Sequence, residues 1–256
     1  MDNQGVPKPW PDDPLSCFLA SAQFNERATS LKFPDLYALL QRVDAALAQV
    51  STITEHENTA ALLPTRFLMP RARAAWLAAV RLAMSGEAVE AQPLIRVVIE
   101  NAWYALHAAK DPASPARVEV WLRSDESDEA RDRCANEFGI GNVRKTHRAL
   151  DAETEALCGT LYKMAISYGG HPNQRGVLSA MRRREEVGGV TFLAEILSNN
   201  PILMLATIKE AVEAAIGVLK VFRLIFPERF SLSGLDAEID KLVAQLNAFV
   251  AQHRTT

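Results

Sequence analysis

The chain has 256 residues and a mass of 28.2 kDa, and its 28 basic and 31 acidic side chains give a net charge of −3. This composition is that of an ordinary globular protein, and it excludes a collagen-like chain, a disordered chain and one that binds nucleic acid over its whole surface. No run of about 20 residues is free of charged side chains, so the sequence predicts no membrane-spanning helix.

The N-terminal segment is rich in proline and lacks the basic start and apolar run of a secretory signal. We interpret residues 1–32 as a Pro-rich arm followed by a loose segment, and residues 33–256 as one all-helical domain. The three cysteines are odd in number and far apart, which predicts neither a disulfide framework nor a zinc site. A reducing cytoplasm is therefore the expected location. The cysteines are Cys17, Cys134 and Cys158.

The chain contains 39 alanines and 29 leucines, a usage that favours helix almost throughout. In the first half, apolar residues at helical spacing predict four helices, near 33–50, 70–85, 87–110 and 115–123. The third of these could start instead at Pro93. Gly86 follows the second and can cap its end in a left-handed conformation.

In the second half, the acidic segment 125–137 predicts either an exposed helix or a long turn. A long helix is predicted from about 142 to 168, followed by a break at 169–173. Helices are also predicted near 200–226 and 233–253. Together these segments predict an all-α bundle of seven or eight helices, with one short hairpin as an alternative to an irregular turn near 176–192.

The third predicted helix is apolar almost all the way round, yet four polar or aromatic side chains interrupt it. At about 100° per residue, Arg96, Glu100, Trp103 and His107 fall on one narrow stripe. A central helix cannot bury an arginine and a glutamate cheaply unless they are paired. The stripe is therefore either a structural ion pair with Trp103 as packing, or the lining of a polar cavity or partner-facing groove.

The predicted helix break supplies the second half of a candidate polar site. Two glycines let the backbone turn, and the following proline favours an extended conformation at His171. Tyr168, His171 and Asn173 would then present polar groups at a helix end, where functional residues often lie. The same residues could equally form a plain helix stop with an asparagine turn.

Positive charge is concentrated between residues 144 and 184. Within it, Arg182, Arg183 and Arg184 form a candidate site for a phosphate backbone or a small anionic ligand. Because two glutamates follow directly, the run could also be a solvated turn.

The last predicted helix carries apolar residues at alternating spacings of four and three, a short heptad pattern. These residues are Leu235, Ile239, Leu242, Leu246 and Phe249. The two valines beside them widen the stripe, which suits packing on the bundle, while a helix-mediated homodimer stays open.

Several familiar chemistries find no counterpart in the sequence. It contains no glycine-rich phosphate loop, no nucleophile elbow, and no His-Glu-x-x-His or other close histidine spacing. We therefore predict no metal site and no cofactor.

The pattern Arg96-x-x-x-Glu100 in a buried helix, with Ser-Tyr-Gly-Gly-His-Pro-Asn at 167–173 ending a later one, resembles a group of bacterial all-helical proteins. Some of these are similar to the HEPN superfamily of helical nucleases and defence proteins. The resemblance covers residues 64–226. It implies a helical bundle, often dimeric, and in some members a metal-independent RNase.

Nucleases of that superfamily use an arginine and a histidine four to six residues apart on one helix, and this chain departs from the rule. Arg144 precedes His147 by only three positions, and no arginine stands at the required distance before His171. RNase chemistry would therefore need an arginine from elsewhere in the fold, holding the phosphate while a histidine moves a proton.

Three functional hypotheses follow. The first is a cytoplasmic all-helical binding or interaction protein without catalytic activity. The second is a HEPN-like metal-independent RNase, or a phage-defence or toxin–antitoxin component. The third is an enzyme acting on a small molecule beside Arg96, Glu100 and His107.

Overall fold

The computed structural model describes residues 12–110, 114–170, 174–186, 189–198 and 200–253. Within these residues the chain forms twelve α-helices and one small two-stranded sheet, so the all-α prediction is confirmed and the number of helices is higher than the predicted seven or eight. The helices are α1 Pro14–Lys32, α2 Pro34–Glu55, α3 Leu63–Ser85, α4 Ala88–Ala109, α5 Ser114–Leu122, α6 Asp128–Glu137, α7 Ile140–Leu150, α8 Ala152–Ala165, α9 Gln174–Ser179, α10 Pro201–Ile225, α11 Pro227–Ser233 and α12 Leu235–His253.

The centre of the bundle is α4, which packs along α3 on one side and α10 on another. Its buried side chains join a core that also includes the apolar faces of α2 and α12. The indole Nε1 of Trp76 on α3 donates a hydrogen bond of 3.0 Å to the carbonyl of Ala211 on α10, which fixes the position of those two helices. The third predicted helix, α4, is therefore central, and its apolar surface is explained by packing against neighbours on several sides.

One long predicted helix, 142–168, is in fact two helices followed by a π-helical turn, Ile166–Gly170. Asp151 divides them because its backbone is extended and its carboxylate accepts a hydrogen bond of 2.9 Å from the Thr154 amide. That is an N-cap, the local contact that starts a new helix. Pro227 similarly ends α10 and begins α11.

The start of α3 also differs from the prediction, since the helix begins at Leu63 and Pro70 lies inside it. An interior proline normally weakens a helix, but buried Leu68, Met69 and Ala72 continue the apolar face across this point. The predicted end is confirmed, because Gly86 has a φ of 101° and caps the helix.

Residues 14–32, which we assigned to a loose segment, form helix α1. Its polar side chains tie it to the end of α3: the Asn25 amide donates to the Ser85 carbonyl at 2.8 Å, and the Thr29 hydroxyl donates to the Met84 carbonyl at 3.0 Å. The helix leaves Phe24 and other apolar side chains exposed, so it lacks the one-sided apolar face that a periodicity argument needs. The proline-rich arm, 1–11, lies outside the described residues.

The segment near 176–192 contains both alternatives that the sequence left open. A short helix, α9, precedes an antiparallel hairpin of strands β1 Met181–Glu186 and β2 Gly189–Ala194. The hairpin is largely exposed, and the chain after it is tied to the α3–α4 connection where the Ser198 amide donates to the Gly86 carbonyl at 2.9 Å. It therefore lies at the edge of the bundle.

The apolar stripe of α12 is buried inside the chain's own bundle, where it packs on α2 and α10. The heptad spacing thus has an intramolecular explanation. Among the helices that the structure describes, none has both the length and the apolar character needed to cross a membrane.

Candidate functional site

Arg96 and Glu100, the first two residues of the predicted stripe, form an ion pair at the partly exposed edge of α4. The Arg96 Nε donates to Glu100 Oε1 at 2.8 Å, and the side chains are 33% and 26% exposed. The Tyr162 hydroxyl on α8 donates to the same carboxylate oxygen at 3.2 Å, and the Arg96 guanidinium lies over the Tyr162 ring at 5.4 Å. The pair is therefore satisfied within the fold, as the structural interpretation of the stripe requires.

His107 belongs to a different environment from Arg96 and Glu100. It is buried, with Nδ1 2.7 Å from the Thr146 hydroxyl and Nε2 3.1 Å from the Glu137 carbonyl. Burial lowers its pKa below the usual value, and the Arg117 guanidinium adds to that effect. Both ring nitrogens are thus in contact with groups of the fold, and the predicted stripe does not converge on one cavity.

Trp103, between them, contacts a histidine that the stripe argument did not include. Its indole Nε1 donates to His147 Nδ1 at 2.8 Å, so the neutral imidazole carries its proton on Nε2. His147 is fully buried, and its Nε2 has no hydrogen-bond partner among the described residues. Burial lowers the pKa of this histidine.

The predicted break after α8 is the π-helical turn, a geometry that recurs at functional sites. A Cβ atom at Gly169 would lie 2.7 Å from Gln92 Cβ and 2.8 Å from Pro93 Cδ, so only glycine lets the turn pack this closely on α4. Tyr168 lies within the turn. The other two predicted residues of this loop, His171 and Asn173, lie outside the described residues.

Tyr168 lines a small cavity of about 170 Å³ between α4, α9, α10 and the π-helical turn. Most of its walls are apolar, contributed by Val89, Met164 and Leu203 among others. Two further polar side chains face one another across helices: Gln92 of α4 and Glu210 of α10. The cavity combines apolar walls with a few polar groups, which is the usual character of a small-molecule site.

The Gln92 and Glu210 side chains share one hydrogen bond, which leaves the Gln92 carbonyl oxygen without a partner among the described residues. Gln92 Nε2 donates to Glu210 Oε2 at 2.6 Å, while Gln92 Oε1 is buried and has no partner among the described residues. Burial raises the pKa of Glu210; the bond from Gln92 opposes the shift and the Glu213 carboxylate adds to it. The neighbouring ammonium of Lys209 is 2.6 Å from Glu213 instead.

Comparisons with protein-family models, curated proteins and solved structures give no significant match. The resemblance to the HEPN superfamily therefore stays a prediction, and the site has to be judged on its own geometry. Within the described parts of the chain, no three histidine, cysteine or acidic side chains are arranged to hold a metal ion.

The predicted basic run lies on the exposed hairpin and does not form a pocket. Alternate side chains of a strand point to opposite faces, so Arg183 faces away from Arg182 and Arg184. Arg183 Nη2 lies 3.1 Å from Glu185, an exposed pair. The basic groups that the fold brings together include Arg144, Arg148 and Lys163, which line a concavity between α7 and α8.

The pairing of Gln92 with Glu210 was not predicted, because these residues are 118 positions apart in the sequence. A signal for one of them was present. Glu210 lies in α10, a strongly apolar helix, so the reasoning that singled out Arg96 and Glu100 applies to it as well. Nothing in the sequence marks Gln92, since its role depends on where α10 packs.

Proposed function

We propose that this protein is a non-catalytic binding protein whose ligand is a small organic cation, a primary ammonium on a short apolar body. The observation that carries the proposal is the pairing of a buried, unpartnered amide oxygen with a desolvated carboxylate that forms no ion pair among the described residues, since nearby Lys209 pairs with Glu213. Both groups, Gln92 and Glu210, line one cavity.

An ammonium group matches this pair of acceptors. It offers three N–H donors and a positive charge, so it can satisfy Gln92 Oε1 and compensate the Glu210 carboxylate together. A buried acceptor without a partner costs about 1–3 kcal/mol, and a ligand that supplies the missing donor recovers part of that cost. The apolar wall around Val89 and Leu203 would contact the hydrocarbon part.

A matched set of probes tests the class of ligand. n-Butylamine, n-butanol and butyrate have similar shapes and differ in charge, and the amine is protonated near pH 7 as a lysine side chain is. We expect n-butylamine to shift the amide resonances of α4 and α10 in NMR titrations, and to bind about tenfold more tightly than n-butanol. Equal affinity for the amine and the alcohol would overturn the proposal.

Two charge-neutralising variants of α10 show whether n-butylamine binds in the assigned cavity. Glu210→Gln should reduce n-butylamine affinity about tenfold, because the desolvated carboxylate is lost. Glu213→Gln removes the same charge one turn away, from a side chain that pairs with Lys209 outside the cavity lining, and should leave the affinity within about twofold. If both variants weaken binding equally, the cation interacts with the general charge of α10 and the assigned cavity is wrong.

A second candidate is the metal-independent RNase suggested by the sequence resemblance, and the basic concavity between α7 and α8 favours it. His147 is buried, which leaves His171 of the two histidines considered for this chemistry. Incubation of the purified protein with total RNA in the presence of a metal chelator tests this candidate. Cleavage that disappears in His171→Ala would support it, and the absence of cleavage would reject it.

The homodimer and the cytoplasmic location remain predictions as well. Because the α12 stripe is buried in the protomer, a dimer would need another surface. Light scattering of the purified chain over a range of concentrations tests the dimer.

A further inference from the structure

A second concavity, between α7 and α8, is basic where the first cavity is acidic. It has a volume of about 360 Å³ and is open to solvent. Arg144 and Arg148 lie on its α7 side and Lys163 on its α8 side. Small side chains of α8, Ala152 and Ala156 among them, contribute to the lining and leave the charged groups accessible.

A buried carboxylate holds the two arginines in place. Glu155, which is 2% exposed, accepts a hydrogen bond of 2.6 Å from Arg144 Nε and one of 2.9 Å from Arg148 Nε. Each guanidinium uses only its Nε in these bonds, and no other hydrogen bond is formed by either group within the described residues. The Nη atoms of Arg148, whose side chain is 60% exposed, are therefore accessible donors, while the Arg144 side chain is 21% exposed. With Lys163 the concavity holds three positive charges against one negative charge.

The backbone of α8 is shaped to accept one of these arginines. Gly159 lies so close to the Arg144 guanidinium that a Cβ atom there would overlap Nη2. On its other side, the Arg144 guanidinium lies over the Trp103 ring, 5.6 Å from the centroid. Because Glu155, Gly159 and Trp103 fix the side chain before a ligand arrives, little conformational entropy remains to be lost on binding.

We propose that this concavity binds one phosphate group, either inorganic phosphate or the phosphate of a small monoester. Guanidinium groups bind phosphate oxygens with paired, charge-assisted hydrogen bonds, and an ammonium adds a third charge. The net excess of two positive charges matches a single dianionic group. Three cations in one concavity fit that group better than an extended nucleic-acid backbone, which needs contacts along its length. None of these residues takes part in the cavity of the proposed function.

The direct test is calorimetric titration with inorganic phosphate and with ethyl phosphate at low ionic strength. We expect saturable binding of one equivalent, weakened at least about tenfold by physiological salt because the contacts are ionic. Tighter binding of ethyl phosphate would assign the site to a monoester, and equal or tighter binding of inorganic phosphate would assign it to the free ion. Absence of saturable binding to either would overturn the proposal.

Single substitutions localise the phosphate. Arg148→Gln and Lys163→Gln should each lower the affinity at least about fivefold, since each removes one charged donor. Arg131→Gln is the matched control, because Arg131 is as exposed as Arg148 but lies on α6, where it pairs with Asp128 of the same helix. The phosphate affinity of this variant should change less than about twofold. Equal losses in all three variants would show a response to net charge alone and would contradict the site.

Gly159→Ala separates the geometry of the site from its charge. The added methyl group should displace the Arg144 guanidinium and lower phosphate affinity at least about fivefold, while alanine's higher helix propensity partly offsets the weakened Arg144–Glu155 contact. A cooperative thermal unfolding transition shows that the fold is intact. Unchanged phosphate affinity in this variant would show that the position of Arg144 is not needed, and would overturn the built site.

A polynucleotide serves as the competing occupant. If a short single-stranded RNA binds much more tightly than ethyl phosphate, and Arg148→Gln weakens only the RNA, the concavity is part of a nucleic-acid surface and the small-anion proposal is wrong.

Discussion

Two glutamates, Glu155 and Glu210, are removed from water in this protein, and their pKa values move in opposite directions. Burial alone would raise the pKa of Glu155, but hydrogen bonds from Arg148 and Arg144 outweigh it and hold the pKa below its usual value. Burial raises the pKa of Glu210, and the hydrogen bond from the uncharged Gln92 amide does not outweigh it. The charged arginine partners of Glu155 therefore account for the opposite direction of its shift.

The opposite pKa shifts distinguish Glu155, a structural carboxylate, from Glu210, a candidate functional residue. Glu155 joins α8 to two arginines of α7, so its charge is compensated and contributes to the fold. The Glu210 carboxyl group is desolvated, and among the described residues only the uncharged Gln92 amide and, at longer range, Lys209 oppose the rise of its pKa. A residue that costs stability and is still present in an apolar helix points to a role outside folding.

The largest effect is expected when Glu155 loses its charge. Glu155→Gln leaves Arg144 and Arg148 without a counter-ion at the α7–α8 junction, and breaking such a buried pair costs about 3 kcal/mol. We expect the free energy of unfolding in urea to fall by about that amount, with an unchanged slope. A loss below about 1 kcal/mol would show that the exposed arginines re-solvate freely, and the contrast between the two glutamates would fail.

Neutralising Glu210 is expected to increase the free energy of unfolding, in contrast to neutralising Glu155. Glu210→Gln removes a desolvated charge and keeps an amide that can bond Gln92, so the free energy of unfolding near pH 7 should rise by about 1 kcal/mol. For a chain of this size that corresponds to an increase in melting temperature of roughly 2–4 °C. Clear destabilisation would mean that the Glu210 carboxylate is compensated in the fold, which would remove the main support for a cationic ligand.

A smaller effect, in the pH dependence of stability, follows from the same shifts. The pKa of Glu210 in the folded protein is raised above 4.5. Its contribution to the free energy of unfolding is therefore favourable below pH 4.5 and is lost as the pH rises through the folded pKa. The gain from Glu210→Gln should therefore shrink toward zero below about pH 4.5. Unfolding experiments in urea at several pH values measure it.

Glu155 gives the reverse dependence. Its folded pKa lies below 4.5, so its stabilisation is present above that value and is lost as the pH falls through the folded pKa. The penalty of Glu155→Gln should thus be full near neutral pH and disappear in acid. Parallel curves for the two variants would contradict the opposite assignment of the two shifts.

The sequence predicted local features well because their causes are local. The apolar stripes of α2 and α12 and the Gly86 cap depend on residues within one or two turns. The site depends on distant packing instead: Gln92 meets Glu210 only where α4 crosses α10. No spacing rule within a single helix could have paired them.

The basic residues also show that a pattern in the sequence does not reveal which side chains the fold brings together. Three consecutive arginines are conspicuous in the sequence, whereas Arg144 and Lys163 are separated by 18 residues and a helix boundary. Side-chain alternation spreads the first group over two faces of a strand. Two consecutive helices, α7 and α8, bring the second group together at the concavity that contains Glu155. Proximity along the chain was therefore the wrong guide to proximity in space.

The smallest effect is expected on the hairpin that the sequence singled out. Arg182→Gln combined with Arg183→Gln should change the free energy of unfolding by less than about 0.5 kcal/mol, because Arg183 pairs with exposed Glu185 and exposed pairs contribute little. Phosphate affinity should change by less than about twofold, since neither residue lines the α7–α8 concavity. Calorimetric titration with ethyl phosphate measures this directly. A loss as large as that of Arg148→Gln would return the anion site to the hairpin, and the contrast between a fixed arginine pair and an exposed basic strand would no longer explain where this protein binds phosphate.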